Sequence, residues 1–163
     1  MKYSYVLARF SKPDKLVPAL KTLSEIPSVV RWHAVEGHVN LVIKIKGSSV
    51  ELSDQLKKID GLDELMVYDI VEECIGAKEL KPDWSYAYLF IETEQSRRDQ
   101  IRKLLDGWDA VQYCEQTIGG CDFAVLIGGE TIGRIDASVR EKIYASDGIL
   151  RVKRDDVINL IHI

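Results

Sequence analysis

At 163 residues and a formal net charge of −4, the chain has the length of one ordinary domain and no basic bias. Residues 1–81 carry 12 Lys and Arg against 12 Asp and Glu, and residues 82–163 carry 10 against 14. The long-range attraction behind non-specific nucleic-acid binding is therefore missing from both halves, and no run of 18 apolar residues is present to form a helical membrane span.

The chain opens on a strand pattern over residues 3–10, where Tyr3, Tyr5 and Leu7 share one face. Residues 14–24 read as a helix with Leu16, Leu20 and Leu23 on one side and Pro18 bending or delaying its start. Residues 29–35 and 39–46 are β-branched runs joined at Glu36-Gly37-His38, which predicts a hairpin. Ser48 with Glu51 forms a capping-box pattern before a helix that places Leu52, Leu56 and Ile59 inward, and Gly61 stops it. Residues 65–72 are the fourth strand. A connector over 74–83 leads to a second series.

That series begins with a strand at 84–91, in which Trp84, Tyr86, Tyr88 and Phe90 share a face. A helix over 95–106 follows, with Ile101, Leu104 and Leu105 aligned. Hairpin strands at 109–116 and 122–128 are joined through Thr117-Ile118-Gly119-Gly120. Residues 131–145 place Ile132, Ile135, Val139 and Ile143 at helical spacing, and Asp147-Gly148 ends the helix. The last strand is expected over 150–153 and 156–162, irregular around Arg154-Asp155-Asp156.

The second series repeats the first. Tyr3-Ser4-Tyr5-Val6-Leu7-Ala8-Arg9-Phe10 matches Trp84-Ser85-Tyr86-Ala87-Tyr88-Leu89-Phe90-Ile91 at an offset of 81. Leu20 and Leu23 match Ile101 and Leu104, and Val30-Arg31-Trp32 matches Val111-Gln112-Tyr113, at the same offset. Gly37-His38-Val39-Asn40-Leu41 matches Gly119-Gly120-Cys121-Asp122-Phe123 after a slip of one. The period is too long for a solenoid and reads as two copies of a small βαββαβ domain. The expected fold class is α+β: tandem ferredoxin-like repeats, residues 1–73 and 84–163 with a linker at 74–83. They are expected to pack sheet on sheet through their aromatic faces, as an intramolecular pseudo-dimer of the dimeric α/β-barrel type, because an uncovered apolar sheet face would be a large exposed patch.

With the repeat assigned, each half resembles the effector-binding (RAM) domain of the Lrp/AsnC family of transcriptional regulators. The resemblance covers 3–72 and 84–163. It rests on a hairpin motif of strand, Gly-x-x-Asp and apolar strand, read here as Gly119-Gly120-Cys121-Asp122-Phe123 and, with Asn40 in place of the acid, Gly37-His38-Val39-Asn40-Leu41. The family's helix-turn-helix is missing from these residues, so the resemblance implies no direct contact with nucleic acid. It implies instead a stand-alone module that senses an amino acid or similar small effector and regulates transcription through assembly. Such a module would be a homo-oligomer or would join a regulator partner, and would be neither an enzyme nor the holder of a cofactor.

The candidate ligand-binding residues are accordingly Gly119, Gly120 and Asp122, with Gly37, His38 and Asn40 in the first copy. A glycine turn offers backbone N–H groups to a carboxylate and Asp122 offers a counter-charge to an ammonium; the competing reading is a turn in which glycine supplies φ and Asp caps the backbone. No catalytic or metal-ligating set is evident. Trp32 and His33 are adjacent on a strand, so only one of them lines any given cavity; His162 is incidental. The strand aromatics admit a base-stacking reading, but the Lys/Arg-Gly-aromatic signature of RNA-recognition motifs is missing. Cys74, Cys114 and Cys121 are a sparse, odd set that fits a reducing cytoplasm. Cys114 and Cys121 flank the second hairpin, either as small semi-buried residues or as a regulatory disulfide. Two alternatives to the sensor are an interaction module co-assembling with a full-length regulator and a cofactor-free enzyme on a dimeric α/β-barrel scaffold. The enzyme reading would engage His33 or another titratable group in a pocket.

Overall fold

The computed structural model describes residues 2–76 and 78–161. His162 lies outside them. The chain divides into two compact units, one running to Ile70 and taking in the chain end from Ile158, the other spanning Val71–Val157. The described residues are α+β, with eight strands in antiparallel pairs and four α-helices. No helix among them is long and apolar enough to cross a membrane.

In the first unit the order is β1 (Tyr3–Phe10), α1 (Leu16–Ser24), β2 (Val29–Gly37), β3 (Leu41–Lys46), α2 (Val50–Lys57) and β4 (Leu62–Ile75). β1 pairs with both β3 and β4, and β3 with β2, so the strands lie in the order β2-β3-β1-β4. The second unit follows the same plan: β5 (Ser85–Thr93), α3 (Arg98–Asp106), β6 (Val111–Ile118), β7 (Phe123–Gly129), α4 (Ile132–Val139) and β8 (Ile149–Ile161). β5 pairs with β7 and β8, and β7 with β6.

Strand alternation sends one side chain in two to the helices. In the first unit Val6, Ala8, Leu41, Ile43 and Ile45 meet Ala19 and Leu23 of α1 and Leu52 and Leu56 of α2. In the second, Ala87, Leu89, Ile91, Phe123, Val125 and Ile127 meet Ile101 and Leu105 of α3 and Ile135 and Val139 of α4. Each fully buried aliphatic side chain of this size contributes about 1.5–3 kcal/mol. These two cores are what hold each helix pair against its sheet.

The repeat is visible in individual hydrogen bonds. Asn40 N–H donates to Ala8 O, as Asp122 N–H does to Ile91 O. Val35 N–H donates to Asn40 O, as Thr117 N–H does to Asp122 O; Ser11 N–H donates to Gly61 O, as Glu94 N–H does to Gly148 O. Gly61 and Gly148 have φ of 94° and 92°, the left-handed turn that glycine enters without steric cost. These pairs correct the sequence offset. The hairpins align at 82 as read, but Ala8 corresponds to Ile91, so the first strands align at 83 and Tyr5 matches Tyr88. The β2 and β6 bulges fall at Val29/Arg31 and Val111/Tyr113, so Arg31 matches Tyr113 and His33 matches Glu115. A one-residue slip in β2 exchanges the faces of every side chain on it, which is why the earlier alignment paired Trp32 with the wrong partner.

Other expectations need local correction. Trp84 precedes β5 and its ring lies under Lys81 Nζ, 4.2 Å from the centroid, so it is not part of the Tyr86, Tyr88, Phe90 face. The Ser48–Glu51 capping box does not form: Ser49 is the cap, and Ser48 Oγ accepts from Val50 N–H. Ile132 sits in the first turn of α4 and is 43% exposed. β8 is continuous through Arg154-Asp155-Asp156. Cys114 points to the helix side of β6, whereas Cys121 lies in the turn bonded to Thr117, so the two sulfurs do not face each other across the hairpin.

Gly128 marks a close approach on β7. A Cβ there would stand 2.6 Å from Tyr86 Cε1 and 3.2 Å from Gln112 Nε2, and the Tyr86 hydroxyl accepts from Lys81 N–H. Gly128→Ala is expected to cost about 1–3 kcal/mol, because the ring is pinned at its far end and overpacks rather than swings away. A lowered urea midpoint with unchanged m-value is the measurement.

Candidate functional site

The face of each sheet turned away from its helices is where polar groups collect. In the first unit that face carries Tyr5, Arg31, His33, Lys44 and Tyr68, since their strand neighbours Val6, Trp32, Ala34, Ile43, Ile45 and Val67 belong to the helix-side core. Lys44 is the register partner of both Tyr5 and Arg31, and Tyr68 is the partner of Tyr5. Arg31 Nη2 donates to Tyr5 Oη at 3.2 Å. Lys44 Nζ stands 5.2 Å above the Tyr3 ring.

Burial on this face is graded. Tyr5 and His33 are fully buried and Tyr68 nearly so, while Tyr3, Arg31 and Lys44 are half-buried. Arg31 and His33 lie two residues apart on β2, about 7 Å along the strand, on one side of it. The cations are therefore reachable and the imidazole is set deeper.

The corresponding positions of the second unit have the opposite chemistry. Tyr88 matches Tyr5 and is the register partner of Asp155, which takes the place of Tyr68. Tyr113 replaces Arg31, Glu115 replaces His33 and Leu126 replaces Lys44. The Tyr88 and Tyr113 hydroxyls are 2.6 Å apart and buried; Glu115 is 3% and Asp155 0% exposed. Two copies of one face have thus diverged, one toward cations and imidazole, the other toward carboxylates and phenols. Burying ionisable groups costs several kcal/mol each before pairing, so such groups are candidates for a functional role.

The hairpin residues fall elsewhere. Gly119, Gly120 and Asp122 line a surface cavity of about 390 Å³ with Glu92, Thr93, Ile118, Cys121 and Leu150. Gly119 and Gly120 have φ of 108° and 156°, as the tight-turn reading requires. Asp122 is spent on its own fold: Oδ2 accepts from Thr93 N–H at 2.7 Å and from Thr93 Oγ1 at 3.2 Å, and Oδ1 accepts from Arg98 Nη2 at 3.0 Å. Asn40 does the same in the first unit, accepting from Phe10 N–H at 2.6 Å. Gly37 ends β2 exposed, and His38 is half-buried in the turn. The polar faces, in contrast, were legible only as an aromatic comb. The missed signal was Arg31 and His33 at alternate positions of a strand whose other neighbours are apolar.

No family model matches the chain, and no curated protein matches it. Solved structures do share its fold. The siroheme decarboxylase NirDL, in complex with an iron-uroporphyrin III analogue, superposes with a TM-score of 0.73 at 11% identity, covering 96% of this chain and 72% of that one. A protein from Lactobacillus acidophilus NCFM assigned as a monooxygenase gives 0.64 at 8% identity, covering 99% and 95%. A mutant chlorite dismutase from Candidatus Nitrospira defluvii, in complex with cyanide, gives 0.57 at 9%, covering 97% and 90%. At these identities the likeness establishes the fold alone. It nonetheless corrects the family expectation: the chain aligns along almost its whole length with scaffolds of the dimeric α/β-barrel type and not with the Lrp/AsnC RAM domain. The attendant expectations of transcription regulation and of a chain that is not an enzyme are withdrawn with it, since these neighbours are described as enzymes.

Proposed function

We propose that the chain is an enzyme acting on a small organic anion. In this reading it is built from two tandem ferredoxin-like repeats, 1–73 and 84–163, joined by the linker 74–83. The observation that carries the reading is the gathering of Arg31, His33, Lys44, Tyr5 and Tyr68 on one sheet face, where strand patterning alone would place apolar side chains.

The chemistry follows from the graded burial. Arg31 and Lys44 are placed to hold an anionic group, with the Arg31 fork supplying directional donors and Lys44 a point charge. The Tyr5 hydroxyl, accepting from Arg31, is oriented with its proton available to a developing oxyanion. His33 lies deeper on the same strand face and is the group suited to accept a proton from carbon or oxygen. The class of reaction is proton transfer next to a carbonyl or carboxylate. A tetrapyrrole of the kind held by the decarboxylase does not fit this face, because Tyr5 and His33 are fully enclosed by other side chains and offer a macrocycle no edge; no step is derived through one.

The test is solvent deuterium exchange followed by NMR, with a panel of small keto acids and enolisable carboxylates offered to the purified chain. Wild-type protein should exchange at least one class of these anions. His33→Gln should lower the rate by about 10²–10⁴-fold, and Arg31→Met should act mainly by raising KM. No exchange with any member, or full exchange by folded His33→Gln, overturns the reading.

A further inference from the structure

We infer that Cys74 and Cys114 form a peroxide-reactive thiol pair, in which Cys74 is the atom oxidised and Cys114 the thiol that resolves it. The inference is independent of the proton-transfer reading and uses a different part of the second unit.

Cys74 is the penultimate residue of β4, half-buried, and lines a surface cavity of about 420 Å³ with Asp99, Arg102, Lys103 and Asp106 of α3. Cys114 is fully buried in the second core, and Cys74 packs against that core from its edge. The two thiols are within hydrogen-bonding reach of each other. One sulfur therefore meets solvent and the other stands directly behind it.

The charges around Cys74 favour its thiolate. Arg102 is gripped by a two-point fork, Nη1 and Nη2 each donating to Glu72 at 2.9 Å. Glu72 lies two residues before Cys74, on the same side of β4, so the fork holds the guanidinium beside the sulfur. The hydrogen bond from Cys114 is the largest influence lowering the Cys74 thiol below the ordinary range; burial opposes it, and the Arg102 charge and the Gln116 backbone N–H assist. Glu72 opposes, and Lys103, Asp99 and Asp106 face the same cavity. Cys114 is pushed far upward by its bond to Cys74, by burial and by the nearby Glu115, and so stays a proton donor. Cys121 takes no part: burial pushes it up to about 12, and it is bonded to Thr117.

The oxidant is a hydroperoxide, ROOH. The Cys74 thiolate attacks the terminal oxygen; the S–O bond forms, the O–O bond breaks, and the departing alkoxide takes a proton from solvent to leave as ROH. The Cys114 sulfur then attacks the sulfenic sulfur. The S–S bond forms, the S–O bond breaks, and hydroxide leaves with the Cys114 proton as water. Two thiols lose two electrons and the peroxide gains them; a dithiol reductant reverses the change.

The experiment is intact-protein mass spectrometry with thiol counting after hydrogen peroxide, on the full chain. Wild type should lose the mass of two hydrogens and two free thiols, with peptide mapping joining 74 to 114, and should react about tenfold or more faster than free cysteine. Cys114→Ser should instead accumulate a dimedone-trappable sulfenic acid at Cys74. Arg102→Met, which leaves both sulfurs and the core in place, should slow the reaction several-fold while circular dichroism is unchanged. A wild-type rate no greater than that of free cysteine overturns the inference, as does equal thiol loss in Cys74→Ser.

Discussion

Trp108→Ala is expected to remove about 3–5 kcal/mol of stability, enough to unfold a large share of a marginal domain. The indole sits between α3 and β6, 4% exposed, inside the second core. Its Nε1 donates to Ser138 Oγ on α4 at 2.6 Å, and its backbone N–H and O join the turn from Leu105 to Val111. One side chain thus fixes the end of α3, the start of β6 and the docking of α4. Alanine empties a cavity of aromatic size and leaves the Ser138 hydroxyl without its donor. Trp108→Phe separates the two effects: most of the packing remains and the loss falls to about 1 kcal/mol, that of one hydrogen bond. Chemical denaturation of the three proteins is the measurement, and a Phe variant as damaged as the Ala variant would show that the Ser138 bond, not the packing, is what matters.

The fold was legible because period-two and period-3.6 patterns survive in both copies. Leu23, Leu52, Leu56, Ile101, Leu105, Ile135 and Val139 were read as inward-facing or lie beside residues that were, and all are buried. Trp108 went unread because it stands in a turn, where periodicity has nothing to count. The repeat was found, but its register slipped by two in β1 and by one in β2. Both slips arise where β-bulges add a residue that hydropathy cannot see: at Arg9/Phe10 and Glu92/Thr93, and at Val29/Arg31 and Val111/Tyr113. A slip of two keeps the faces, so the aromatic side of β5 was still read correctly from Tyr86 to Phe90. A slip of one in β2 hid the correspondence of His33 with Glu115, and with it the divergence in charge between the two faces.

The candidate site was less legible for a related reason. A short motif is read along the chain, whereas Tyr5, Arg31, Lys44 and Tyr68 come together across three ladders. The Gly-x-x-Asp hairpin drew attention because its residues are contiguous. Its recurrence in both copies is explained by backbone accounting: the N–H at the end of the first strand in each unit is closed by a side-chain oxygen from the hairpin, Asn40 in one and Asp122 in the other.

That equivalence yields the second large effect. Asp122→Ala is expected to cost about 2–3 kcal/mol, because the Thr93 N–H and hydroxyl lose an ionised acceptor and Arg98 loses its partner together. Asp122→Asn should cost only about 1 kcal/mol. The amide oxygen keeps the Thr93 N–H bond, as Asn40 shows for Phe10, and only the half-screened ion pair with Arg98, 21% and 34% exposed, is given up. The pair of variants distinguishes a brace from a ligand. A brace predicts that Asn restores most of the stability that Ala removes and that small ammonium compounds leave the thermal midpoint of either variant where it was. An ammonium site at Gly119, Gly120 and Asp122 predicts a wild-type midpoint that rises with an amino acid in solution and an Asp122→Asn midpoint that does not. Thermal unfolding of the three proteins with and without a mixture of amino acids decides between them, and a ligand-dependent rise confined to wild type would return the hairpin to the list of binding sites.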